Sequence, residues 1–341
     1  MDNAREQQLI GESRVFLDVL DHVSRVAQLN RPVLVIGERG TGKELIAARI
    51  HYLSPRWDRP FVKLNCAALA ESLLETELFG HEAGSFTGAN RRRLGRFELA
   101  HQGSLFLDEL ASTSGRVQEK ILRVIEYGEL ERVGGTETIE TDVRIIGATN
   151  EDLPALAEAG RFRADLLDRL AFDVITLPPL RERQDDILPM AEHFAVKMCG
   201  ELGLEVFAGF TDQAVTRLVD HPWPGNVREL KNVVERAVYS SEEADQEPID
   251  AIDFDPFESP WRPKTSRPET PPPAVATPDR PYDFKEHVQQ VEIDLLNQAL
   301  EQCRFNQKKT AEYLSLTYHQ LRGYLRKYDL TEAASTTDDS A

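Results

Sequence analysis

Pro32-Val-Leu-Val-Ile-Gly-Glu-Arg-Gly-Thr-Gly-Lys-Glu44 decides how the rest of the chain is read. The apolar run after Pro32 has the length and composition of a buried strand, and the glycines that follow end it. Gly37, Gly40 and Gly42 let backbone N–H groups close around phosphate oxygens, and a helix opening at Lys43 adds the positive field of its N-terminus. Glu38, Arg39 and Thr41 complete the loop, and Lys43 is placed to reach β- and γ-phosphates. A Gly-x4-Gly-Lys pattern between strand and helix predicts a nucleoside triphosphate site. Glu44 stands where a serine or threonine usually ligates Mg2+, so that hydroxyl ligand is missing.

Outward from this loop the text alternates. Ser104–Asp108 and Val143–Ala148 are further short apolar runs, and amphipathic helical stretches such as 68–78 and 116–127 separate them. The expected fold class is therefore α/β, a parallel sheet with helices on both faces. After Leu177-Pro-Pro-Leu180 strand signals stop, and 185–198, 211–219 and 227–240 read as helices of a lid. Residues 241–283 hold ten of the chain's 19 prolines and read as an acidic linker. Helical periodicity returns over 284–330, and 331–341 is a small, polar tail expected to be disordered. The domain reading is thus 1–178, 179–240, linker 241–283, 284–330 and tail 331–341.

The net charge of −18 argues against a chain that coats nucleic acid along its whole length. Between Cys303 and Tyr328, however, six basic residues face one acidic residue, a local excess of +5. That is the footprint of a phosphate-contacting surface. No apolar run reaches the length of a membrane span, and the N-terminus lacks the features of a signal peptide, so the expected location is cytoplasmic, at the nucleoid, with no membrane insertion. Cys66, Cys199 and Cys303 are far apart, without metal-ligand spacing, and fit reduced thiols.

Asp108-Glu109 ends the second apolar run. An aspartate at a strand's C-terminal end can hold Mg2+ through water. Glu109 is then placed to polarise an attacking water as general base. Taken alone the pair could be an ordinary surface strand end. Beside a phosphate loop in one α/β domain it reads as the second half of an ATPase site.

These motifs resemble those of the AAA+ bacterial enhancer-binding proteins, activators of sigma-54 RNA polymerase, over about residues 8–240 and again over 285–330. The family's loop also carries Glu after the lysine, so Glu44 is a shared feature. Gly84-Ser-Phe-Thr-Gly-Ala89 matches the family's Gly-Ala-Phe-Thr-Gly-Ala loop that grips sigma-54, with Ser85 in place of alanine. The resemblance makes Gly84, Ser85, Phe86, Thr87, Gly88 and Ala89 the sigma-54 contact, with Phe86 and Thr87 at its tip; without it, an ordinary hairpin with Phe86 packed inward is the favoured reading. It makes Arg228 the sensor II arginine, and Thr149 and Asn150 the sensor of the γ-phosphate. It makes Asn65 the residue that restrains Glu109, and Ile10 part of the segment beside the adenine. Arg163 and Arg169 match arginine fingers acting in a neighbour's site, which implies an oligomer growing from dimer to hexamer. Without the resemblance, a surface salt bridge of these arginines with Asp165 or Asp168 is the favoured reading, and Asn65 reads as a turn former. ATP and Mg2+ are the implied cofactors.

Residues 306–328 read as helix, short turn, helix. Ala311 is a small residue where helices cross, and Leu314, Leu316, Leu321 and Leu325 supply the packed face. Tyr318, His319, Gln320 and Arg322 open the second helix on the other face, the arrangement of a recognition helix in a major groove. Lys308, Lys309, Arg326 and Lys327 would mostly meet phosphates. The stretch resembles a Fis-type helix-turn-helix, which implies enhancer DNA as partner. Ser315 replaces the glycine usual in the turn, and Gly323 lies inside the recognition helix. The amphipathic 284–300 helix is the expected dimer element, although a basic hairpin serving only oligomerisation has a similar pattern.

The phosphate-loop domain starts almost at Met1, so no receiver domain is expected ahead of it and control should come from a separate protein. Trp57, among charged residues and prolines in 52–60, reads as an exposed docking residue, or else as a tryptophan half-buried against its own domain. The resemblance implies a negative regulator resembling phage shock protein A and target genes of the phage-shock, membrane-stress type. Two rival classes remain at this point: a AAA+ remodelling ATPase with other clients, separated by the Phe86-Thr87 loop, and a DNA-binding repressor whose ATPase fold is only structural, disfavoured by an intact Asp108-Glu109.

Overall fold

The computed structural model describes residues 9–86, 89–241, 244–259, 261, 283–303, 306–328 and 330. Thr87, Gly88, residues 262–282 of the expected linker and the 331–341 tail lie outside them. The chain divides into two compact units, Met1–Glu258 and Ser259–Ala341.

The first unit opens with α1 (Arg14–Ala27), capped by the Ser13 hydroxyl and burying Phe16, Val23 and Val26. Then follow β1 (Val33–Ile36), α2 (Lys43–Tyr52), β2 (Phe61–Asn65), α3 (Glu71–Phe79), α4 (Arg96–Leu99) and β3 (Ser104–Asp108). Next come α5 (Gly115–Tyr127), β4 (Glu129–Glu131), β5 (Thr138–Glu140), β6 (Arg144–Thr149), α6 (Leu153–Glu158), α7 (Ala164–Leu170) and β7 (Val174–Thr176). Five strands form a parallel sheet in the order β2-β3-β6-β1-β7, and β4 and β5 form a separate antiparallel hairpin.

The period-two geometry of the strands divides the core. Leu105 and Leu107 of β3 join one cluster with α3, α5, α6 and α7. Phe106, between them, joins the other with α1 and α2. Both faces are therefore covered, which is why β1, β3 and β6 are apolar without alternation. The consequence for function lies at the strands' C-terminal ends. Register sets Asn65 beside Asp108 and Ile36 beside Thr149, so the residues that follow the strands share one edge of the sheet.

The lid consists of α8 (Ile187–Leu202), α9 (Asp212–Asp220) and α10 (Asn226–Ser240) around fully buried Trp223. Its core continues past Ser240: Ala244, Ile249 and Ile252 are buried in it, Phe254 stacks on His221 at 4.3 Å, and Ile249 pairs with Phe210. The linker expected from 241 onward is corrected here. Residues 244–254 belong to the lid, because a few apolar side chains spaced along an acidic, irregular segment find a place in its core.

The second unit holds α11 (Phe284–Gln302), α12 (Gln307–Tyr313) and α13 (Tyr318–Lys327). Leu296 and Leu300 of α11 close a small core with Ala311, Leu321 and Leu325. Ser315 takes φ +55 in the turn, the left-handed conformation that glycine would adopt without strain. Among the described residues no helix is long and apolar enough to cross a membrane.

Candidate nucleotide site and its lever and DNA-contact surfaces

The phosphate loop turns through Gly40 (φ +79) and Gly42 (φ +97) into the start of α2. Lys43 is buried, and its Nζ donates to the carbonyls of Gly37 at 2.8 Å and Glu38 at 3.1 Å. Burial pushes its ammonium below the ordinary lysine range, opposed by the carboxylates of Asp108 and Glu109. Glu44 accepts a hydrogen bond from Lys63 at 2.8 Å. The Gly37 N–H donates to the Thr149 carbonyl at 3.2 Å, so the loop is fastened to β6 at its root.

Asp108 accepts from its neighbour's N–H, that of Glu109, at 3.0 Å and from the Asn65 amide at 3.4 Å. Glu109 takes φ +51, a strained conformation for a non-glycine residue and one that recurs at active sites. Asn65, which the resemblance makes the restraint on Glu109, lies beside Asp108 in the β2–β3 register and donates to its carboxylate, while its own oxygen accepts from Ala67 N–H. Thr149 is fully buried at the end of β6, and the adjacent Asn150 carries a buried amide oxygen without a partner among the described residues.

The lid closes the site from the other side. Asn226, fully buried at φ +53, donates to the Glu38 carboxylate at 3.0 Å and the Arg39 carbonyl at 3.1 Å, and accepts from Leu180 N–H at 2.8 Å. Arg181 binds both oxygens of Glu38, at 2.6 and 3.0 Å. The Arg181 and Asn226 hydrogen bonds hold the Glu38 carboxyl down at about 2. Gly40 approaches the lid so closely that a Cβ there would lie 2.2 Å from the Gly225 carbonyl and 3.1 Å from Arg228 Cβ. Arg228, exposed on the first turn of α10, thus stands over the loop. Ile10 packs against the lid's core.

Beyond α3 the chain forms the 84–89 loop. Gly84 N–H donates to the Ala89 carbonyl at 2.7 Å, which pinches its base. Phe86 remains 44% exposed, edge-on to His81 at 5.0 Å. Glu82, at the loop's root, accepts from buried Arg132 at 2.8 Å, and Arg132 also holds Glu98. The inward-packed alternative for Phe86 is therefore not adopted.

A sequence model of the sigma-54 interaction domain matches residues 9–176, one of the AAA+ ATPase lid domain matches 181–268, and one of the bacterial regulatory proteins of the Fis family matches 288–328. The Psp operon transcriptional activator of Escherichia coli K12 is 56% identical over 326 residues, 95% of this chain and 99% of its own. The chain belongs to the sigma-54-dependent transcriptional activators. The Nif-specific regulatory protein of Azotobacter vinelandii, 46% identical over 93% of this chain, is longer, and the match spans 58% of it. Crystal structures of NtrX from Brucella abortus in complex with ATP and with ADP both superpose with a TM-score of 0.68 at 32% identity; the ATP complex covers 95% of this chain and 70% of its own, the ADP complex 94% and 69%.

As a sigma-54 activator the chain is an AAA+ ATPase with a DNA-binding helix-turn-helix, and sigma-54 RNA polymerase and DNA are its partners. Its remaining sequence-predicted residues fall as follows. Arg163 chelates Asp165 at 3.0 and 2.7 Å, and Arg169 binds Glu126 at 2.9 Å, so neither fastens to its own chain's nucleotide site. Trp57 is 63% exposed, and the half-buried alternative falls. In the DNA-binding unit, Lys308, Lys309, His319, Arg322 and Arg326 are all exposed. Gln320 accepts from Thr317 N–H at 2.9 Å as part of a capping box, and Tyr318 donates to Gln307 at 3.3 Å. Lys327 pairs with Glu292 of α11 at 3.3 Å, and Tyr328 binds the same carboxylate. Sequence reasoning missed the lid contacts of Glu38, since nothing local announces that a loop glutamate has partners 143 and 188 residues away.

Proposed function

We propose that the chain works as a ring, expected to be a hexamer, that hydrolyses ATP to move the 84–89 loop against sigma-54 and open promoters of the phage-shock, membrane-stress type. The observation that carries this reading is the shared sheet edge: Lys43, Asp108, Glu109 and Asn150 converge there, and the loop that bears Phe86 is anchored by Arg132 and Glu82 to the same domain. Lys43 exchanges its two loop carbonyls for phosphate oxygens. Glu109 takes a proton from the attacking water, and Asn150, with its amide oxygen unpartnered, reads the terminal phosphate and its water.

The donor set suits Mg2+. Each Asp108 oxygen accepts a single protein hydrogen bond, leaving lone pairs for a hydrated cation. The cation would neutralise charge on the β- and γ-oxygens. Arg163 and Arg169, held on the surface by carboxylates of α5 and α7, are free to exchange those partners for a neighbour's γ-phosphate, where a planar, always-charged fork is the suitable group. Lys308, Lys309 and Arg326 meet phosphates of enhancer DNA, and His319 and Arg322 face the bases. Exposed Trp57 is the docking point for a negative regulator resembling phage shock protein A.

Transcription from a sigma-54 promoter in vitro tests the reading. Thr87→Ala is expected to abolish promoter opening and keep ATP hydrolysis. An active Thr87→Ala protein would sink the assignment of the loop, and inhibition unaltered by Trp57→Ala would sink that of the docking residue.

A further inference from the structure

The turn that leads into α8 sends two charged side chains into the protein interior, Arg183 at 2% and Asp186 at 0% exposure. Asp186 stands at the N-terminus of α8 yet does not cap it. Its carboxylate instead accepts from Glu12 N–H at 2.6 Å, Ser13 N–H at 2.7 Å and the Ser13 hydroxyl at 2.8 Å. The N-terminal segment is pressed onto it: a Cβ on Gly11 would lie 2.9 Å from Asp186 Oδ2 and 2.5 Å from the Phe16 ring. Arg183 lies over that same ring, 4.8 Å from its centroid, and donates to the Thr41 carbonyl of the phosphate loop at 3.3 Å. Its Nε is buried without a partner among the described residues.

Burying an arginine and an aspartate is a poor way to gain stability, since apolar residues of the same volume do as well or better. What the pair does gain is geometry. One lid turn grips two segments of the α/β core that are far apart in sequence: residues 11–13 through Asp186, and the phosphate loop through Arg183. Ile10, beside the gripped segment, and Val227 of α10 both flank the lid's core, giving that end of the cleft an apolar character suited to a base.

We propose that Arg183 and Asp186 are positioning residues that set, from the lid, the spacing between the base-side segment and the phosphate loop, so that the two ends of ATP are held in register. The proposal rests on the ATPase reading. It assigns the two residues different selectivities. Asp186 acts on the base end alone, and Arg183 acts on the phosphate loop that every triphosphate uses.

The test is steady-state hydrolysis of ATP and of CTP by the full chain at one fixed protein concentration. Asp186→Asn keeps the shape but presents an amide where a carboxylate accepted three bonds, and is expected to lower kcat/KM for ATP about tenfold, through KM, and that for CTP less than about twofold. Arg183→Lys is expected to lower both alike. Ser13→Ala, which removes the hydroxyl's bond to Asp186 together with its long cap bond to Phe16 N–H, should repeat the Asp186→Asn pattern at about threefold. It keeps the proposal testable if Asp186→Asn folds poorly. A wild-type chain that does not distinguish ATP from CTP, or an Asp186→Asn and Ser13→Ala pair that lowers both nucleotides equally or neither, overturns the proposal. A wild-type chain that hydrolyses no triphosphate overturns the ATPase reading instead.

Discussion

Asn226→Ala removes a side chain that joins lid to phosphate loop, and its cost can be worked out bond by bond. Leu180 N–H loses its acceptor inside the protein, and an orphaned buried donor costs about 1–3 kcal/mol. The bonds to the Glu38 carboxylate and the Arg39 carbonyl go as well, but Glu38 keeps both bonds to Arg181, so about 1 kcal/mol is a fair figure for that loss. At φ +53 alanine is also strained relative to asparagine, by about 1 kcal/mol. The sum is about 3–5 kcal/mol, which for a unit of this size corresponds to a fall of about 6–20 °C in Tm. Asn226→Gly loses the same bonds without the strain and should melt about 2–4 °C above the alanine variant. Calorimetric unfolding of the two variants beside wild type separates the contributions. Equal Tm values for alanine and glycine would refute the conformational part, and an alanine variant that melts with wild type would refute the stitch as a whole.

His51, fully buried and stacked on Phe61 at 4.8 Å, has its imidazole pushed down by burial from the ordinary 6.5 to about 4. The unfolded chain therefore takes up this proton first, so stability is complete above pH 6.5 and declines as pH falls toward 4, by about 2 kcal/mol at pH 5. Chemical denaturation across that window should show a decline steeper by that amount in wild type than in His51→Phe, and parallel curves would contradict it. Ser315→Gly, at φ +55, and Gly323→Ala, whose Cβ would meet nothing within 4 Å, should each stabilise the DNA-binding unit by about 0.5–1 kcal/mol, read as a rise in its melting transition; a fall in either would reject the backbone argument. Glu109→Gln should bind ATP normally in a titration while hydrolysis falls about 10²–10⁴-fold, and retained turnover would remove Glu109 from the role of base.

Much of the α/β core was legible because a buried parallel strand has only one way to look. The runs around Val33–Ile36, Ser104–Asp108 and Arg144–Thr149 are apolar on both faces and end in glycine, acid or threonine. β7 gave no such signal, being three residues long with its first and last exposed. The β4–β5 hairpin is equally short and mostly outward. Ile249, Ile252 and Phe254 were illegible as lid residues because single apolar side chains among acids carry no period. At the site, the loop and the Asp108-Glu109 pair were readable from their local pattern. The partner of Asn65 was not, since it depends on which residue the register of β2 and β3 sets opposite. Arg183 and Asp186 belong to a run, Arg-Glu-Arg-Gln-Asp-Asp, that reads as a solvated charged surface; only contacts 142 and 173 residues away reveal them as interior.

Gly40 has a consequence of an evolutionary kind. Any side chain at 40 would place its Cβ 2.2 Å from the Gly225 carbonyl oxygen, a backbone atom that cannot rotate aside. The residue at 40 is therefore restricted by the lid turn as well as by phosphate, and positions 40 and 225–226 should drift together across lineages rather than singly. A lineage that replaces this glycine should carry a remodelled turn before α10, and grafting its phosphate loop alone into this chain should fail where grafting loop and turn together succeeds.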